Sequence, residues 1–160
     1  MSHDTIRFEG RDEFRERIRD ALATGATHGW REAILCDADF ADWPLGEREV
    51  ESSLHAWAKA GGRFTLIAQR WDEVLRRHAR FVNWRERWSH LIECRVCKNA
   101  DPLSFPSAIW SPALMLLRLD VERCTCIESA DSQRRVELRE TLEQALHSSA
   151  PGFPATTLGL

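Results

Sequence analysis

Short apolar runs, each too brief for a buried helix, alternate along this chain with stretches of helical periodicity, and that alternation constrains the fold most. Residues 33–36, Ala-Ile-Leu-Cys, form a run ended by acids and then Trp43-Pro44, as expected of a strand leaving a buried sheet. Residues 63–68 form a second run, and Ile92, Cys94 and Val96 alternate with Glu93, Arg95 and Cys97 in a third. Between them, apolar residues recur at helical spacing. Phe14, Ile18, Ala21 and Leu22 mark one helix, and Val50, Leu54, Trp57 and Ala58 a second, stopped by Gly61-Gly62. Trp71, Val74 and Leu75, followed by Phe81, Trp84, Trp88 and Leu91, mark a long bent helical region. A loop with Pro102, Pro106 and Pro112 leads to two adjacent runs, 113–119 and 123–127, which a tight turn near 120–122 would join as a hairpin. Leu138, Leu142, Ala145 and Leu146 stripe a last helix capped by Asp131 or Ser132, and residues 151–160 form an irregular tail. The order implies one α/β domain over residues 1–160. A mixed, mostly parallel sheet is sandwiched by helices and carries a late antiparallel hairpin.

A chain of 160 residues buries roughly 70% of its unfolded surface, enough for one proper core. No apolar run approaches the roughly 20 residues that span a bilayer, so no membrane partner is expected. The opening Met1-Ser2-His3-Asp4 lacks the basic and apolar regions of a signal peptide, which places the chain in the cytoplasm with its five cysteines reduced. A net charge of −3 argues against nucleic acid as a partner, because phosphate-backbone binding draws on accumulated cations. Seven tryptophans without a tyrosine mark core or interface anchors.

The segment Ala113-Leu114-Met115-Leu116-Leu117-Arg118-Leu119-Asp120, followed by Glu128-Ser129-Ala130-Asp131, resembles a degenerate motif of the phospholipase D-like superfamily. That family carries His-x-Lys-x(4)-Asp on a late strand and Gly-Ser-x-Asn shortly after. Here Ala113 stands at the His position and Met115 at the Lys position, while Asp120 and Ser129 remain and Glu128 and Asp131 replace Gly and Asn. The resemblance implies a phospholipase D-like fold and a homodimer, since the family pairs its domains. It also implies lost chemistry: neither a methyl nor a thioether can replace a nucleophilic imidazole or an ammonium that neutralises phosphoryl oxygens. Asp120 and Ser129 are then expected to satisfy backbone groups around the hairpin. Met115 and Leu117 would offer apolar surface to a second copy.

The alternative site is Asp37-Ala38-Asp39, with Asp42, directly after the first strand. Carboxylates there suit Mg²⁺ and resemble the Asp-x-Asp opening of haloacid dehalogenase-like phosphatases, although Gln69 stands where a Ser or Thr is wanted. The plainer reading is that these acids cap turns. Cys94, Cys97, Cys124, Cys126 and His90 invite a zinc site, but i and i+3 on an alternating strand face opposite ways, which favours buried thiols. Arg76, Arg77, Arg80, Arg85 and Arg87 interleave with aromatics as in a single-strand binder, yet helical spacing puts the two types on different faces. His28 and His55 have no partner recognisable in sequence. The expectation is a non-catalytic binding or association domain without a cofactor or an identified small-molecule ligand. The alternative is a Mg²⁺-dependent phosphate-processing enzyme using Asp37 and Asp39.

Overall fold

The computed structural model describes residues 5–98, 101 and 104–153. In chain order the elements are β1 (Thr5–Glu9), α1 (Arg11–His28), β2 (Glu32–Cys36), α2 (Arg48–Lys59), β3 (Arg63–Ala68), α3 (Asp72–Arg77) and α4 (Ala79–Arg87). They continue with β4 (Ile92–Val96), β5 (Ala108–Trp110), β6 (Met115–Asp120), β7 (Thr125–Ser129), α5 (Ser132–His147) and β8 (Ala150–Pro151). Among the described residues the strands form one sheet in the order β1-β7-β6-β5-β2-β3-β4-β8.

The expectation of a mostly parallel sheet is corrected by this topology. Only β2–β3 and β3–β4 run parallel, and the five remaining pairings are antiparallel. The reason is β5. Its three residues sit between Pro106 and Pro112, too few to show a period, so the sequence reads as loop there. In the fold β5 turns back between β2 and β6 and joins the parallel strands to the hairpin. Strand β1 is equally hard to read because it is a half-exposed edge strand, paired with β7 from Thr5↔Ser129 to Glu9↔Thr125. Pro151, expected to begin an irregular tail, instead pairs with Arg95 at the opposite edge. Pro102 and residues 154–160 lie outside the described residues.

Helices cover both faces of the sheet. Along β2, Ala33 and Leu35 point into the core shared with α1 to α4, while Ile34 and Cys36 enter a second core against Leu138 and Leu142 of α5. Trp57 anchors the larger layer: its ring meets Phe64 edge-on at 4.6 Å and its indole N–H donates to Trp30 O. A Cβ at Gly25 of α1 would come within 2.6 Å of that indole, so only glycine permits this approach of α1 to α2. The long helical region is two helices, broken at His78, where the backbone leaves helical geometry. The His78 Nε2–H donates to Phe40 O at 2.8 Å, and burial holds the ring's pKa below its usual range.

Candidate functional site

Ala113, Met115, Ser129 and Asp131 lie at one end of β6 and β7, and Asp120 lies at the other, hairpin end. Ala113 lies exposed in the loop before β6, a turn tied by the Ser111 hydroxyl, which accepts from Leu114 N–H and donates to Leu114 O. Met115 is 2% exposed and belongs to the core beneath α5 with Trp110, Leu138 and Leu142. It shares a transverse row with Ser129 and Thr5, because Met115↔Ser129 and Thr5↔Ser129 are direct cross-strand partners. The Ser129 hydroxyl is 2.7 Å from that of Thr5 and accepts from Asp131 N–H. Asp131 caps α5 by accepting from Arg134 N–H, and Asp120 closes the hairpin turn by accepting from the amides of Glu122 and Arg123. Beside Met115 a cavity of about 180 Å³ is bordered by Leu117, Ile127, Arg134 and Glu137. Met115 is therefore spent on packing within the chain, because α5 lies over it, and is not the exposed apolar surface suggested for a second copy.

The strongest polar cluster lies elsewhere and has Arg118 at its centre. On the face opposite Met115, its guanidinium reaches Asp37 Oδ1 at 3.0 Å, Asp42 Oδ2 at 3.2 Å, Ser107 Oγ at 3.2 Å and Cys124 Sγ at 3.4 Å. It also lies 4.3 Å from the centroid of the Phe14 ring. Burial pulls the Arg118 pKa down, but Asp37 and then Cys124 more than offset that and leave it above its ordinary value. Asp37, also buried, accepts from Phe40 N–H at 2.8 Å and Asp39 N–H at 3.2 Å. Asp39 accepts from Ala41 N–H and pairs with Arg70 at 3.2 Å. Asp37 and Asp39 thus each already hold a guanidinium and an adjacent amide.

The cysteines separate as strand geometry requires. Cys94 enters the core under α1 to α4 and Cys97 the core under α5, while Cys124 and Cys126 belong to the far half of the sheet. Burial pushes the Cys94 thiol up to about 11 and the Cys126 thiol up to about 12, so neither is poised as a nucleophile. Among the described residues no three His, Cys, Asp or Glu side chains converge as metal ligands. The arginine run forms no common surface. Arg76 and Arg77 pair with Glu73, Arg80 and Arg87 approach Glu51, and Arg85 is buried. His55 accepts from the Trp84 indole N–H at 3.4 Å, and both His55 and His90 pack against Trp88. No local pattern marks the Arg118 cluster: Arg118 is the single cation in an apolar strand, and its two carboxylates lie 81 and 76 positions upstream.

No protein-family model matches the chain, and no curated protein matches it. Solved structures do. TrmBL2, an archaeal chromatin protein whose structure shows a novel mode of DNA binding, matches with a TM-score of 0.70 and 12% identity over 94% of this chain and 54% of its own. This chain therefore spans about half of TrmBL2. Nuc from Salmonella typhimurium, a phospholipase D family member, matches with a TM-score of 0.60 and 8% identity over 94% of this chain and all of its own. NucT from Helicobacter pylori matches with a TM-score of 0.57 and 9% identity over 92% and 98% of the two chains. These likenesses show a phospholipase D-like fold. They also correct the expectation that net charge argues against nucleic acid, since a DNA-binding protein carries the same fold. A whole-chain sum of −3 is silent about where cations lie locally.

Proposed function

We propose that this chain is a non-catalytic phospholipase D-like domain that acts by binding. One observation supports the reading: at the positions that the motif resemblance sets against an imidazole and an ammonium, this chain has an exposed methyl at Ala113 and a thioether at Met115 packed under α5. No proton carrier or phosphoryl-stabilising cation stands at those two positions. The reading includes a reducing, cytoplasmic setting, supported by five cysteines that are all buried and unpaired.

A polyanion is the partner class that the surface favours. Arg31, Lys59 and Arg63 are exposed around the N-terminal ends of β2 and β3, outside every ion pair among the described residues. Twelve of the other arginines pair with a carboxylate, so at this end of the sheet three neighbouring cations are left for a phosphate backbone. Binding of a short single strand should weaken as salt rises and should fall in an Arg31→Ala/Lys59→Ala/Arg63→Ala variant. A generic phosphodiester assay with and without Mg²⁺ tests the non-catalytic part, with no turnover expected. Metal-dependent turnover lost in Asp39→Asn would replace this reading with the phosphate-processing alternative at Asp37 and Asp39.

A further inference from the structure

Phe153 occupies a slot between two groups that both bind flat rings. Its ring stacks on the Trp71 indole at 4.9 Å between centroids and an interplanar angle of 8°. The Arg85 guanidinium carbon lies over the same ring, 4.5 Å from its centroid. A stacked indole and an overlying guanidinium each need a face of the ring, so Phe153 lies between them. The indole wall is fixed. Trp71 N–H donates to Arg95 O at 3.2 Å, and Phe40 stacks against its ring at 5.6 Å.

The cationic wall is incomplete as it stands. Arg85 is only 4% exposed; it interacts with the Cys94 thiol but forms no ion pair with a described carboxylate, and its buried Nε–H has no hydrogen-bond partner. Burying a guanidinium costs several kcal/mol unless an anion or acceptor meets it, and a phenyl ring offers a π face but no acceptor oxygen. The slot also lies where β3 gives way to Trp71, near the C-terminal ends of the parallel strands, the position at which open α/β sheets receive ligands.

The occupant is lightly and awkwardly held. Phe153 has φ +50°, a left-handed conformation costly for an aromatic residue. The two residues of β8, a hydrogen bond from Gly152 N–H to Cys94 O and two from the Arg95 guanidinium to Ser149 tie this segment to β4, and none of them is made by Phe153 itself. A Cβ at Gly152 would stand 2.8 Å from Val96, so the chain passes close to the sheet only as glycine.

We propose that the Trp71–Arg85 slot is a binding site for a planar aromatic ligand bearing an anionic group, a nucleotide in chemical class, with Phe153 as its placeholder. The base takes the place of the Phe153 ring, and the anion meets the Arg85 Nε–H that the phenyl ring leaves unmet. This deepens the binding reading and rests on it only in that the ligand is held and not turned over. The phosphodiester assay tests turnover; the following measurement tests occupancy.

Equilibrium dialysis of the full chain against labelled AMP compares the parent, Phe153→Ala and Phe153→Ala/Arg85→Met. Removing the competing ring raises apparent affinity by the reciprocal of the fraction of time the slot is open, so Phe153→Ala should bind AMP roughly tenfold or more tightly than the parent. Adenosine, without the phosphate, should show little of that gain, and the double variant should lose it. Competition by a six-nucleotide single strand assigns the ligand to nucleic acid; failure to compete assigns it to the free nucleotide. Three results overturn the proposal: a folded Phe153→Ala that binds no tighter, a gain that survives Arg85→Met, or a Phe153→Ala that does not fold. In the last case the ring is an indispensable core member and not a placeholder.

Discussion

Arg118 and Arg85 expose 5% and 4% of their surface, and the fold surrounds them with different chemistry. Arg118 has two carboxylates, a hydroxyl and a thiol within hydrogen-bonding reach, whereas Arg85 has the Cys94 thiol, the Phe153 face and an Nε–H without a partner, and no carboxylate among the described residues pairs with it. A buried charge with a complete shell locks the elements that supply the shell. Here those are the end of β2, the approach to β5, the middle of β6 and the start of β7. A buried charge with an incomplete shell does not stabilise the fold to the same degree, and its retention asks for another reason. The contrast separates a structural arginine from one that is available to a ligand.

The largest expected effect attacks the complete shell. Asp37→Ala leaves Arg118 buried beside the half-exposed Asp42 alone and should cost about 3–5 kcal/mol, read as a lower urea midpoint at unchanged slope. A loss below about 1 kcal/mol would mean that water or movement rescues Arg118, and the contrast with Arg85 would collapse. Asp42→Ala should cost less, about 1–3 kcal/mol, because Asp37 stays in place and the Asp42 side chain is 25% exposed.

The next effect is pH-dependent and sits on the slot's far wall. His78 donates to Phe40 O, and burial keeps its pKa below the ordinary value, so the native state holds the neutral ring. As pH falls through about 6.5 the unfolded chain takes up the proton first, so stability should be flat above that point and decline below it. Melting midpoints between pH 7.5 and 5.5 should show this slope in the parent and a flatter one in His78→Gln. The smallest change is expected for Arg85→Met, at most about 1 kcal/mol, since the lost cation–π contact is offset by removing an unpaired buried charge. A cost as large as that of Asp37→Ala would show that Arg85 has a full set of native partners.

Much of the scaffold was legible because side-chain period reports which face of an element is buried. The stripe Val50, Leu54, Trp57 and Ala58 became α2, and the runs at 33–36 and 63–68 became adjacent parallel strands. Asp131, one of two residues named as the cap of the last helix, is the one that accepts from Arg134 N–H. Periodicity failed where elements are short or half-exposed: β5 has three residues, and β1 has a charged, solvent-facing pattern. The arginine run misled for a related reason. Composition made Arg85 one of five equivalent cations, but helical phase turned it inward while its neighbours found Glu51 and Glu73.

The amino-acid sequence by itself determined the alternation of helices and strands, the buried faces, and the side chains at Ala113 and Met115, a methyl and a thioether. These are properties of neighbouring residues and of side-chain chemistry, which no fold can alter. Only the tertiary structure decided that β5 reverses the sheet, that Arg118 meets Asp37 across 81 positions, and that Phe153 enters the space between Trp71 and Arg85. Those pairings depend on strand order and register, which bring together residues remote in the chain, and a local pattern carries no record of which remote partner arrives.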